Sequence, residues 1–151
     1  MTTVCFVTPP GEAPAEGLLG YETVRRALSP YDLERPYDNA VCVETVSLGS
    51  AVALVADLDW YLRRTVQDVL VKEPAVSDRE WLSRTLAEAL RAEAIEPADT
   101  PEVVKIYGVE EGRLIEPMYA ERRRDGTLPG YDLREVEGTV VVRVSPEEFG
   151  R

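Results

Sequence analysis

Residues 47–73, SLGSAVALVADLDWYLRRTVQDVLVKE, hold the longest amphipathic pattern in the chain. Ala51, Val55, Leu58, Leu62, Val66 and Val69 recur in steps of three or four, which a helix would gather on one face. Asp57, Arg64 and Asp68 fall on the opposite face. Glu73-Pro74 ends the pattern. The spacing predicts one long helix between Ser47 and Glu73 with a buried stripe. On its C-terminal side, Ser77-Asp78-Arg79-Glu80 has the form of a capping box. Trp81, Leu82, Leu86, Ala89 and Leu90 follow it, predicting a second helix from Ser77 to about Ala94. A short Pro-bearing connection between the two favours a packed pair.

On the N-terminal side, Ala40–Val46 reads as a strand and Tyr31–Asn39 as a Pro-broken loop. Leu18, Tyr21, Val24 and Leu28 mark a further helix, stopped by Ser29-Pro30. Thr3–Thr8 is a short buried strand ended by Pro9-Pro10-Gly11, and Gly11–Gly17 is a loop. Beyond Pro97–Pro101 the pattern turns to strands. Val103–Val109 and Arg113–Arg122 form a hairpin about Glu110-Glu111-Gly112, and Thr139–Ser145 is the clearest strand of all. The expectation is a single α+β domain over residues 1–151, with about five strands and three helices packed on a mixed sheet.

Thr139–Ser145 places valine on both faces, as a strand covered on both sides does. Three helices suffice for one face of a five-stranded sheet. The other face, or an open edge, then calls for a second copy of the chain, which predicts a homodimer.

The chain has 151 residues and a formal charge of −11, from 28 acidic and 17 basic side chains. Only Lys72 and Lys105 are lysines; the other bases are arginine. Such a surface suits molar salt, where the Debye length falls to about 3 Å and self-repulsion is screened. It also suits a cytosolic protein from a GC-rich genome, and the low Asp share leans toward that second reading. The acidic balance argues against nucleic acid and against anionic membranes as partners. No apolar run approaches a membrane span, and Met1-Thr2-Thr3 lacks the basic start of a secretory signal, so the expected location is cytoplasmic. There Cys5 and Cys42 are most simply buried, reduced thiols.

Four stretches together carry a family likeness: YETVRRALSPYDL (21–33), VETVSLGSAVALVADLDWYLRR (43–64), SDREWLSR (77–84) and VKIYGVEEGRLIEPMY (104–119). With them the chain resembles a family of small acidic proteins of halophilic archaea classed as a domain of unknown function. The resemblance implies a salt-adapted surface and transfers no activity, ligand or catalytic residue.

The absence of histidine excludes a Ser-His-Asp triad, a Cys-His dyad and imidazole metal sites. Asp57 and Asp59 are the one tight Asp pair, but on a helix they point about 200° apart, so no metal site is expected. No glycine pattern matches a nucleotide fingerprint, and no cofactor is expected. No catalytic residue is assigned. Arg122, Arg123 and Arg124 form the one basic run, a candidate contact for an anion or an acidic partner. Thr8, Tyr21, Tyr31, Arg35 and Tyr37 are candidate pocket residues around the end of the first strand, with Arg35 orienting an anion. Two functions follow. The leading one is a non-enzymatic protein acting through a protein partner or self-association, anchored by aromatics such as Trp60, Tyr61 and Trp81. The alternative is a small-ligand binder or enzyme using carboxylate, Arg and Tyr groups beyond the first strand.

Overall fold

The computed structural model describes every residue except Pro101, Gly150 and Arg151. The fold is α+β with a mixed sheet, richer than the sequence pattern predicts: eight strands and four α-helices among the described residues. The strands are β1 (Thr2–Val7), β2 (Glu34–Tyr37), β3 (Ala40–Thr45), β4 (Asp68–Lys72), β5 (Trp81–Ser83), β6 (Val103–Glu110), β7 (Arg113–Glu121) and β8 (Gly138–Arg143). The helices are α1 (Glu22–Leu28), α2 (Leu48–Asp57), α3 (Asp59–Thr65) and α4 (Arg84–Arg91). The sheet order is β2-β3-β1-β4-β5-β8-β6-β7. Every neighbouring pair is antiparallel except β5 and β8, which run parallel.

The predicted long helix is two helices and a strand. Ser47 caps α2 by accepting from the Ser50 amide at 3.1 Å. Leu58 leaves the helical region (φ −94°, ψ 2°), and α3 restarts at Asp59 with an acid in its first turn. Ala51, Val55, Leu58 and Leu62 do form the buried stripe. At Val66 the backbone becomes extended, and Val69-Leu70-Val71 enter the sheet, all buried. Valines and leucine at helical spacing also satisfy a central strand buried on both faces, and β-branching favours the strand.

The Ser77 capping box is half made. Ser77 Oγ accepts from the Glu80 amide at 3.0 Å, but no helix follows. Trp81 and Leu82 are strand residues, and Ser83 is the real cap, accepting from the Leu86 amide at 3.2 Å. Glu34–Tyr37, expected as loop, pairs with β3 as an edge strand protected by its proline and charges. The first helix is shorter than expected, with a separate 3₁₀ turn at Leu18–Gly20.

The sheet has two cores because it curls. On its convex side Val4, Phe6, Val41, Val43 and Val69 lie under α1–α3, while Val71 and Leu82 lie under α4. On its concave side Cys5, Val7, Ala40, Cys42 and Leu70 meet Tyr107, Leu114, Val140, Val142 and Val144 from the far strands. Asn39 clasps the curl. Its amide donates to Thr8 O and Leu114 O and accepts from Leu114 N, each at 2.9 Å. The remaining outer face, with Val104, Ile106 and Val141, is covered by Leu128 and Tyr131 of the 122–137 segment. Gly108 permits that cover, since a Cβ there would lie 2.8 Å from the Tyr131 ring and from Val136. Both faces of β8 are therefore covered within one chain, so of the two grounds for a second copy the uncovered face is removed at β8, while β2 and β7 remain sheet edges.

Candidate functional site

The concave side opens at the end of β1. Pro10, Gln67, Asp68, Lys105, Tyr107, Glu116, Pro117 and Tyr119 line a cleft of about 420 Å³ there. Each position follows from strand alternation. Lys105, Tyr107 and, on the partner strand, Tyr119 share the inward face of the β6–β7 hairpin, where Tyr119 pairs with Lys105. Asp68 opens β4 with the same parity as buried Leu70.

Lys105 is 9% exposed, unusual for a lysine. Its ammonium donates to Asp68 Oδ2. The Tyr107 hydroxyl donates to the same oxygen at 2.6 Å, and the Val69 amide donates to Oδ1 at 2.9 Å. Burial, reinforced by the neighbouring Asp68 charge, pushes the Tyr107 phenol far above its ordinary range, so it stays protonated and remains a donor. The result is a neutral Lys–Asp pair, fixed by a tyrosine, on the floor of the cleft. The ammonium keeps hydrogens that Asp68 does not use.

The sequence candidates are placed apart from this network. Thr8 is buried, donates to Asn39 O at 3.1 Å and to Glu12 O, and lines a smaller neighbouring cleft with Glu16 and Thr65. Tyr21 stands edge-on to Trp60 and Tyr61, with centroids 6.1 and 5.0 Å away. Tyr31 borders an acidic cleft with Asp32, Glu34 and Glu44. Arg35 is exposed on the edge strand β2. Tyr37 packs inside the curl against the cysteine cluster, where burial raises its phenol. The five do not converge on one pocket.

The basic run divides as well. Arg122 is committed to Glu80 at 2.6 Å and Glu102 at 3.3 Å, and Arg123 to the Thr127 hydroxyl at 3.3 Å. Arg124 is exposed. Glu80 also accepts from Arg143 Nε at 2.8 Å. Burial would raise the Glu80 carboxyl, but the two guanidinium groups outweigh it and hold it below the usual range. Asp59 turns to Arg84 at 2.7 Å and Arg63 at 2.9 Å, while Asp57 is exposed. Among the described residues no group of three acidic, cysteine or histidine side chains is placed to hold a metal. No described helix is long and apolar enough to cross a membrane.

The alternative reading of the sequence looks beyond the first strand, to Thr8, Tyr21, Tyr31, Arg35 and Tyr37, and names neither Asp68 nor Lys105. Lys105 was detectable as one of two lysines, set inside the apolar run Val103-Val104-Lys105-Ile106-Tyr107. Asp68 was hidden by the helical reading of its segment. No curated protein and no solved structure matches the chain. Residues 2–109, which include Asp68, Lys105 and Tyr107, match the model of a family of unknown function (DUF5804), and the chain belongs to that family.

Proposed function

We propose that this chain is a small-molecule-binding protein whose site is the cleft over Asp68, Lys105 and Tyr107. One observation carries the reading: a buried ammonium with unspent N–H groups faces a cleft walled by Pro10, Pro117 and Tyr119. A mostly apolar concavity with a few convergent polar groups is what ligand sites share. Fragment screening by NMR on the full chain tests it. Hits should map to Gln67, Lys105, Tyr107 and Tyr119. A map that avoids these residues counts against the proposal.

Action through a protein partner is the second reading. It is supported by Trp60, 49% exposed, with Tyr21 at its edge and the Arg64 guanidinium 3.6 Å from the ring centroid. Trp60→Ala should abolish such an interaction and leave fragment binding in the cleft intact.

We further propose a cytoplasmic setting at high salt. The −11 charge supports it, as does the placement of both lysines: Lys105 is buried, and Lys72 lies over the Trp81 ring at 4.4 Å. Melting temperature should rise with KCl into the molar range. A maximum already reached in dilute buffer would refute the salt-adapted reading.

A further inference from the structure

Which ligand the cleft takes depends on which hydrogen-bonding groups are left unsatisfied. Asp68 is nearly saturated, with Lys105 and Tyr107 on Oδ2 and the Val69 amide on Oδ1. Tyr107 spends its hydrogen on Asp68. Lys105 is the exception, because an ammonium has three hydrogens and Asp68 takes one. The tyrosine ring beneath it, 5.5 Å from Nζ, uses no hydrogen in a directed bond. The deep end of the cleft thus offers donors, and a ligand must bring an acceptor there. At the mouth, exposed Gln67 adds a side-chain amide whose carbonyl oxygen accepts and whose NH₂ donates.

Charge then narrows the class. The Lys–Asp pair is neutral in sum, Glu116 sits at the rim, and the chain carries −11. A carboxylate ligand would meet no net positive charge and would compete with Asp68 for its own partner. A cationic ligand would meet the buried ammonium. A neutral carbonyl has neither cost. The walls add shape: Pro10, Pro117 and the Tyr119 ring present flat apolar surfaces, suited to a planar molecule.

Resting on the small-molecule reading above, we infer that the ligand class is a neutral, planar molecule with an amide-type edge. Its carbonyl oxygen accepts from Lys105, its N–H donates to the Gln67 carbonyl, and its ring lies along Tyr119. No bond is made or broken.

The test uses three single-ring probes on the intact chain: 2-pyridone (neutral, with adjacent carbonyl and N–H), benzoate (anionic) and benzylammonium (cationic). Amide and side-chain NMR shifts report where each binds. The expected result is that 2-pyridone perturbs Gln67, Lys105, Tyr107 and Tyr119 at least tenfold more tightly than either ion. Lys105→Met should remove its binding, and Lys72→Met should leave it unchanged. Tyr119→Leu weakens it in a second variant that keeps the ion pair, in case Lys105→Met does not fold. If benzoate or benzylammonium binds the cleft as well as 2-pyridone does, the ligand class is overturned and the site stands. If none of the three perturbs those residues, the site fails, and the inference with it.

Discussion

Asp68 on β4 and Lys105 on β6 are separated by two whole strands in the sheet order, yet their side chains form an ion pair. Only a sheet curled on itself brings them together, so the pair reports the curl as well as the cleft. Both side chains are largely out of water, at 14% and 11% exposed. Lys105→Met should cost about 3–4 kcal/mol, because it leaves a carboxylate buried without its partner. Asp68→Asn combined with Lys105→Met should recover most of that loss. Urea unfolding of the four members of the cycle checks both, and equal costs for the single and double variants would contradict the account.

Asn39 is the second long-range tie. Asn39→Ala leaves the Leu114 amide, the Leu114 carbonyl and the Thr8 carbonyl short of a partner, an expected loss of about 3 kcal/mol. Asn39→Asp should be no better, since an ionised acid would face two carbonyl oxygens with nothing to donate. Thermal unfolding of both variants measures this.

Glu80 sets an acid limb. Its carboxyl is held below the usual range in the folded chain, so its stabilisation is present above the ordinary glutamate pKa and is lost as pH falls through the lowered value. Glu80→Gln should lose about 2 kcal/mol at neutral pH, one charged hydrogen-bond centre shared by Arg122 and Arg143. It should also show a flatter decline below pH ~4.5, within the ordinary glutamate range. Stability curves from pH 7 to pH 3 decide it.

Cys5 and Cys42 are register partners across β1 and β3, both buried and both free thiols. The hydrogen bond with Cys42, and then burial, push the Cys5 thiol well above its ordinary range. A thiol held protonated is a poor nucleophile. Iodoacetamide at pH 8 should label Cys5 very slowly in the folded protein, and both cysteines within minutes in denaturant. Rapid labelling of Cys5 in the native state would contradict its placement.

Much of the architecture was legible in the chain because local signals and burial agree there. Thr3–Thr8, Ala40–Val46, the hairpin about Gly112 and Thr139–Ser145 are all strands in the structure, to within a few residues at their ends. Reading failed where one apolar spacing satisfies two structures. Leu62, Val66 and Val69 suit a helix stripe, yet the chain turns extended at Val66 because β4 fills a central place buried on both faces. Ser77 and Glu80 carry the letters of a helix cap, yet Glu80 is taken by Arg122 and Arg143, from segments 42 and 63 residues away. The site was hidden for the same reason. Asp68 and Lys105 meet only through the curl, and no local pattern encodes a contact between strands that are not neighbours.

The place of β8 has a consequence for how the molecule is made. Among the described strands β8 follows all the others in sequence but sits sixth of eight in the sheet, between β5 and β6. Without β8 no strand pairing joins β2-β3-β1-β4-β5 to β6-β7, each part has a bare edge where β8 belongs, and the Asn39–Leu114 clasp is left as a tie between them. The Lys105–Asp68 pair and its cleft span those two parts, so they depend on β8 to hold the parts in register. A truncation before Gly138 would therefore leave two edges open to other chains.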